Sequence, residues 1–282
     1  MTALTIRPMS RPELEMGLAW AAAEGWNPGL HDADSFHAAD PDGFLLGLLD
    51  GEPVGMVSAV RYGQGFGFIG FYIVQPGFRG HGHGMALWRA GMARLAGRTI
   101  GLDGVVAQQD NYRQSGFVLA CHNVRYQGVA VLAEAGVSPV ESLADVPLDD
   151  VLRFDAAFFP DDRQAFVRRW VRQRGSTALG VRGANGALAG YGVIRPCRSG
   201  YKVGPLLADT PAWAGQLFDA LAGCVPPGSP VQLDISTLNP EAVALAEARQ
   251  MTPVFQTARM YAGPAPALPW DRVYGITTFE LG

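Results

Sequence analysis

The residue pattern with the clearest chemistry is a glycine-rich turn that follows an apolar run. Residues Phe66 to Val74 are rich in aromatic and β-branched side chains, which predicts a buried strand. The turn Arg79-Gly80-His81-Gly82-His83-Gly84 comes next, and apolar residues at helical spacing continue to Gly97. Glycines let a backbone approach a ligand closely, and the first turn of a helix has unpaired N–H groups. The segment therefore predicts a site for a pyrophosphate, with Arg79 adding a positive charge.

Two common phosphate-binding motifs do not match this turn. No Gly-Lys-Ser/Thr follows it, which argues against a nucleoside-triphosphate P-loop. The spacing Gly80-x-Gly82-x-Gly84 differs from the dinucleotide fingerprint, and no strand-helix-strand unit precedes it. A glycine-rich surface turn without a ligand is the remaining alternative.

The composition predicts a globular protein of two domains. The chain has 282 residues, of which 48% are hydrophobic and 17% charged. Its net charge of −4 argues against binding to nucleic acid or to an anionic membrane surface. The three cysteines are widely spaced and form no CxxC pair, which is typical of reduced thiols. Without an apolar leader or a membrane-spanning run, we expect a cytoplasmic protein.

The two halves of the sequence repeat one order of elements, which predicts a mixed α/β sheet in each. The first half reads as strand, two helices, three strands, helix, strand, short helix and strand, and the second half repeats most of this order. Specific residues also recur: Leu102-Asp103 as Leu233-Asp234, Asn111 as Asn239, and Arg125-Tyr126 as Arg259-Met260-Tyr261. This repetition indicates an internal duplication.

The domain boundaries follow from the repeat. We expect a first domain over residues 1–137, a linker over 138–148 and a second domain over 149–282. The second copy has Ala208-Asp209-Thr210-Pro211 in place of the glycine turn, and Asp209 would repel a pyrophosphate. It therefore reads as a degenerate copy without its own cofactor. The alternating residues Arg272 to Phe279 predict a terminal strand.

The chain resembles the GNAT N-acetyltransferase superfamily. The resemblance rests on Arg-x-x-Gly-x-Gly after Val-x-Pro, on Tyr112-Arg113-Gln114-Ser115-Gly116-Phe117 and on the element order. It implies two tandem GNAT-like acyltransferase domains, the second degenerate, and acetyl-coenzyme A (acetyl-CoA) as the co-substrate. In that family the fourth and fifth strands splay apart to admit the pantetheine arm. The residues that would bind acetyl-CoA are Tyr72, Ile73, Val74, Arg79, Gly80, His81, Gly82, His83, Gly84 and Asn111.

The resemblance also suggests catalytic roles. Tyr112 stands where many GNAT enzymes have a tyrosine that protonates the leaving thiolate, although a core tyrosine is the alternative. The Val74 amide would donate to the oxyanion. Asn111 could bind the cofactor or cap a helix. The strand before the turn lacks the usual carboxylate, so Glu24 is the first candidate for a base, and His31 and Asp103 are weaker ones.

These features predict an acetyl-CoA-dependent N-acetyltransferase that transfers an acetyl group directly to a primary amine. A non-catalytic acyl-CoA sensor or partner-binding protein is the alternative. We expect no metal, because His81 and His83 lack a third ligand at recognisable spacing. The acceptor, a small molecule or a protein amine, stays open, as does a homodimer.

Overall fold

The computed structural model describes residues 4–131, called here the first half, and residues 139–282, called the second half. The helices are α1 Arg11–Ala23, α2 Asp32–Ala39, α3 His83–Arg94, α4 Gln109–Gln114, α5 Leu148–Asp155, α6 Gln164–Trp170, α7 Pro211–Gly223 and α8 Pro240–Ala248. The strands are β1 Thr5–Pro8, β2 Phe44–Leu49, β3 Glu52–Tyr62, β4 Phe66–Val74, β5 Thr99–Val105, β6 Val118–Val129, β7 Val140–Ser142, β8 Thr177–Arg182, β9 Leu188–Pro196, β10 Tyr201–Ala208, β11 Pro230–Ser236, β12 Thr252–Ala262 and β13 Val273–Gly275.

The element order confirms the predicted repeat and completes it. The predicted linker, residues 138–148, is corrected, because β7 lies there and pairs with β8 as the counterpart of β1. Residues 132–137 of the expected first domain and residue 138 of the expected linker lie outside the described residues. A tight hairpin turn at Asp50-Gly51 joins β2 to β3, and both residues have the positive φ angles, +52° and +85°, that such a turn requires.

All the strands belong to one sheet, and the two halves exchange their last long strands. The sheet order is β1-β2-β3-β4-β5-β12-β6-β11-β10-β9-β8-β7, with β13 beside β10. Strand β12 of the second half lies between β5 and β6 of the first half. Strand β6 in turn pairs with β11 of the second half. Each half therefore depends on the other for its sheet, and the two expected domains share one structural unit.

The repeated Asp and Arg residues form two buried ion pairs across this exchange. Arg125 of β6 lies opposite Asp234 of β11 and donates to it at 2.6 and 2.8 Å. Arg259 of β12 lies opposite Asp103 of β5 and donates to it at 2.6 and 2.5 Å. Both pairs are bidentate, and each joins one half to the other. The sequence repeat thus encodes the junction between the halves.

The helices divide between the two faces of the sheet. Side chains of α1, α2, α5 and α6 share the largest hydrophobic cluster with the C-terminal segment, residues 273–282. We call this side of the sheet the shared face. Helix α3 packs on the opposite face of the first half, and α7 and α8 pack on the corresponding face of the second. Among the described residues, no helix has the length and apolarity needed to cross a membrane.

Candidate functional site

The first half contains a gap between two parallel strands, which we call the first gap. Strands β4 and β5 pair only from Phe66 opposite Thr99 to Phe68 opposite Gly101, and then diverge. A bulge begins just beyond, where two residues of β4, Phe71 and Tyr72, lie opposite one residue of β3. Phe71 has φ +44°, an uncommon angle for a bulky residue, and is buried. The bulge bends β4 away from β5 and leaves the edge of β4 free beyond Phe68.

The free edge of β4 offers main-chain hydrogen-bonding groups to the first gap. The Gln75 amide donates to the Val54 carbonyl on β3 at 2.9 Å. Because residues of an antiparallel pair alternate in direction, the main-chain groups of Val74 face away from β3 and into the gap. By the same alternation, the main-chain N–H and C=O groups of Tyr72 face into the gap, and those of Ile73 face β3. Tyr72 and Val74 can therefore bind an extended ligand, whereas the Ile73 main chain belongs to the strand ladder.

The glycine turn connects the first gap to the N-terminus of α3. Gly80 and Gly82 have φ angles of +81° and +82°, which L-amino acids with a side chain rarely adopt. Helix α3 begins at His83, and no side chain among the described residues caps its first turn. The turn is exposed, and a methyl group on Gly80 or Gly82 would meet no described atom within 4 Å. The free N–H groups of this turn therefore face open space.

Arg79 and Glu24 are paired with each other at the edge of the turn. The Arg79 guanidinium donates to Glu24 at 2.5 Å and to the Val74 carbonyl at 2.8 Å. Both side chains are partly exposed, so solvent screens the pair. The pairing brings Glu24 to the cofactor side of the gap. There its carboxylate is occupied by the Arg79 guanidinium.

Tyr112 lies on the face opposite the shared face, in a group of three aromatic residues. Its ring packs 5.6 Å from Trp88 of α3, and Trp88 lies 5.5 Å from Tyr72. The ring also covers Gly104, where a Cβ would come within 2.1 Å of it. Burial, with a smaller contribution from Tyr72, raises the pKa of Tyr112 to about 12. The hydroxyl makes no hydrogen bond within the described ranges, so it is free to donate to a ligand.

The other predicted site residues are less clearly placed for binding. The Asn111 amide donates to Gln108 at 2.5 Å and lies inside α4, so Asn111 does not cap that helix. The rings of His81 and His83 lie 6.1 Å apart in the exposed turn. Of the two weaker candidates for the base, Asp103 forms an ion pair with Arg259, and His31 directly precedes α2 on the shared face. Within residues 4–131 and 139–282, no group of three His, Cys, Asp or Glu side chains could hold a metal.

The second half has an equivalent gap, but the chain itself fills it. Strands β10 and β11 also pair at three positions and diverge, and β10 carries the same bulge at Gly204-Pro205. Strand β13 pairs with β10 in this second gap, and the Ile276 amide donates to the Asp234 carbonyl on β11 at 2.9 Å. The predicted terminal strand is thus confirmed over Val273–Gly275. It takes the edge that β4 leaves free in the first half.

The helix that follows the second gap also differs from α3. The Thr210 hydroxyl caps α7 by accepting from the Trp213 amide at 3.2 Å. Pro211 occupies the first helical position and has no N–H group. Asp209, the residue expected to repel a pyrophosphate, is paired with Arg272. The second helix N-terminus therefore has fewer free donors and an acidic neighbour.

The sequence interpretation missed one residue of the shared face, Glu280. The C-terminal segment passes directly over both bulges. The Thr277 carbonyl lies so close to Gly204 that a Cβ there would be 2.6 Å from it, and the Glu280 carbonyl would be 2.4 Å from a Cβ on Gly70. Glu280 is only 5% exposed. The available signal was a single acidic residue within an otherwise uncharged C-terminal run.

Comparisons with known proteins agree with this geometry. Residues 11–121 match the family described as "Acetyltransferase (GNAT) family", and residues 151–275 match "Acetyltransferase (GNAT) domain". A holothin acyltransferase from Pseudoalteromonas sp. (strain SANK 73390) is 32% identical over 99% of this chain and 94% of its own length.

Solved structures share the fold over the whole chain. A putative acetyltransferase from Pyrococcus horikoshii is 25% identical with a TM-score of 0.82, covering 100% of this chain and 97% of the other. A tandem GNAT protein from the clavulanic acid biosynthesis pathway is 17% identical with a TM-score of 0.64, covering 94% and 100%. The chain therefore belongs to the GNAT acetyltransferase family and has two GNAT domains in tandem.

Proposed function

We propose that the first half binds an acyl-CoA and transfers its acyl group, acetyl in the simplest case, to a primary amine. The observation that carries this proposal is the difference between the two gaps. In the first gap the edge of β4 is free and leads to an uncapped helix N-terminus. In the second gap β13 occupies the edge and Thr210 caps the helix. One of the two copies is thus built to accept an extended ligand that ends in an anionic group.

The residues of the first half fit the two ends of an acyl-CoA. The main chain of Tyr72 and Val74 would pair with the amides of the pantetheine arm, as an added strand pairs with a sheet edge. The amides from Gly80 to Gly84 would bind the pyrophosphate, which the positive end of the α3 dipole also favours. Arg79 would add a charge after leaving Glu24 or while still paired with it. The contact between Arg79 and the Val74 carbonyl links the two ends of the site.

Two groups would assist acyl transfer. The Val74 amide would donate to the oxygen that gains negative charge when an amine attacks the thioester. Tyr112, with its pKa near 12, stays protonated at neutral pH and would donate a hydrogen bond to the leaving sulfur. A thiol has a pKa of about 8.5, so complete proton transfer from Tyr112 is unfavourable by roughly 5 kcal/mol in the ligand-free site. Tyr112 would therefore stabilise the thiolate mainly by hydrogen bonding, with solvent as the final proton source.

The acceptor class rests on similarity. The resemblance to GNAT N-acetyltransferases supports an amine as the acceptor, and the relative that is 32% identical is named a holothin acyltransferase. Holothin is therefore the first compound to test. The donor is written as an acyl-CoA because the name of that relative does not restrict the acyl group to acetyl.

The test is thiol release from acetyl-CoA and from longer acyl-CoAs, with holothin and a panel of primary amines. We expect turnover with at least one pair, and a fall of about 100-fold in kcat for Tyr112→Phe. Tyr201→Phe, on β10 of the second half, is the matched control and should keep wild-type rates. Tight acyl-CoA binding without turnover on any amine, with the same affinity in Tyr112→Phe, would instead identify a sensor.

A further inference from the structure

One buried carboxylate of the described residues, Glu280, lacks a partner, whereas the buried Asp103 carboxylate is paired with Arg259. Asp32 pairs with Arg195, Asp155 with Arg163 and Asp234 with Arg125, at 3.0, 2.7 and 2.6 Å. Glu280 makes no side-chain hydrogen bond and no ion pair with any residue of the two described ranges. Neither oxygen of this carboxylate is both fully buried and unpaired, so the group remains accessible to a small ligand. A mostly buried residue with an unpaired, accessible carboxylate is a candidate for function.

The main chain of Glu280 lies beside the first gap, on the shared face, from which an acceptor would approach. Its main chain crosses Gly70, the residue before the bulge, at a distance that leaves no room for a side chain there. Phe68 and Gly70 point to the shared face, whereas Tyr112 packs with α3 on the opposite face. The Glu280 main chain and the Tyr112 ring thus lie on opposite faces of the sheet at the first gap.

The loop between α1 and α2 forms the other side of this region. The Trp26 ring lies 6.3 Å from Phe71, and the Trp26 carbonyl accepts from Arg125 at 2.9 Å. The Asn27 carbonyl accepts from Lys202 at 3.1 Å. Both halves therefore contribute to this region, with Trp26 and Arg125 from the first half and Lys202 from the second.

Three cations interact electrostatically with Glu280: Arg125, Arg195 and Lys202. Asp234 and Asp32 neutralise the two arginines, which leaves Lys202 to balance the charge of Glu280 from beyond ion-pair distance. Burial lowers the pKa of Lys202. None of these cations forms a hydrogen bond or an ion pair with the Glu280 carboxylate, so its oxygens are available to an incoming amine.

We propose that Glu280, supplied by the second half, is the catalytic base that receives a proton from the acceptor amine in the first half. This inference rests on the proposed function. The amine nitrogen forms a bond to the acyl carbon as the carbon–sulfur bond breaks. One N–H proton moves to the Glu280 carboxylate and then to solvent, and the departing thiolate takes one proton from solvent under the hydrogen bond of Tyr112. Because Glu280 replaces the carboxylate absent from β4, Glu24 is left to hold Arg79.

The variant Glu280→Gln tests this role with an acyl-CoA and amine pair that the wild type turns over. We expect kcat/KM for the amine to fall about 100-fold or more at pH 7, with the Kd for acetyl-CoA unchanged. The deficit should shrink as the pH rises toward the pKa of the amine, by up to about tenfold for each pH unit, because solution then supplies more neutral amine. Glu247→Gln, an exposed change on α8, is the matched control. If Glu280→Gln loses thermal stability but keeps the wild-type kcat/KM for the amine, Glu280 serves only as a counter-charge for Lys202, and the proposal is overturned.

A second measurement needs no acceptor. In a crystal structure of the wild type with acetyl-CoA, a Glu280 oxygen should lie about 6 Å from the thioester carbonyl carbon, which leaves room for one amine nitrogen between them. Tyr112 should lie on the other side of the thioester. A carboxylate separated from the thioester by the Phe71 ring would refute the role of Glu280 while leaving the proposed function intact. Failure of acetyl-CoA to bind would instead refute the proposed function.

Discussion

Replacing Gly82 by alanine separates the binding of a pyrophosphate from the stability of the fold. Gly82 has φ +82° and precedes α3 directly, and a new methyl group would meet no described atom within 4 Å in the free protein. Gly97 is a matched control, because it has φ +83°, equally open surroundings and a place beyond the far end of α3. Each alanine forces an L-residue into the left-handed region, which costs about 1 kcal/mol of stability.

The two variants should differ only in affinity for CoA. In Gly82→Ala the methyl group would keep the pyrophosphate from the main-chain amides of the turn. Losing one hydrogen bond to a charged group costs about 1.5–3 kcal/mol, so Kd should rise roughly 10- to 100-fold. Gly97→Ala should bind as the wild type does. Titration calorimetry with CoA measures the affinity, and urea denaturation measures the stability of both variants.

One result would refute the reasoning. If Gly82→Ala bound CoA with wild-type affinity while losing the same stability as Gly97→Ala, the main chain of the turn would not hold the pyrophosphate. The positive φ angles would then serve only to start α3.

Three further predictions follow from the structure. Arg79→Ala should raise the Kd for CoA about tenfold while shifting Tm little, since its ion pair is exposed, and Arg113→Ala should do neither. Asp234→Leu should remove about 3–5 kcal/mol of unfolding free energy by leaving Arg125 buried and unpaired, and adding Arg125→Met should recover most of it; additive losses in urea denaturation would contradict this. The pKa of Tyr112 lies near 12 in the folded protein and near 10 in the unfolded chain, so kcat should show no decline from this group up to pH 10. The contribution of Tyr112 to the unfolding free energy should be lost between pH 10 and 12. An alkaline loss of kcat near pH 9 that Tyr112→Phe abolishes would contradict this.

The glycine turn and the element order could be predicted because both are local in sequence. Positive φ at Gly80 and Gly82 follows from a glycine-rich segment between a strand and a helix. The alternation of Arg272 to Phe279 likewise predicted the short strand β13. These features depend on neighbouring residues, so a single sequence contains the information for them.

The exchange of strands could not be predicted, because the two copies have the same pattern. From the sequence, Arg125 and Arg259 could each pair with either of two equivalent aspartates, Asp103 and Asp234. No local residue pattern distinguishes pairing within a half from pairing between halves. The structure pairs each arginine with the aspartate of the other half. The position of Glu280 could not be predicted either, because only the path of the C-terminal segment across Gly70 brings it to the first half.

The stoichiometry of acyl-CoA binding tests most directly whether one of the two gaps, and not both, binds the co-substrate. Calorimetry with acetyl-CoA should give one site per chain, and a crystal structure of the complex should place the pantetheine arm along β4 with the pyrophosphate at the start of α3. Two sites per chain, or a ligand that displaces β13 from β10, would contradict the account.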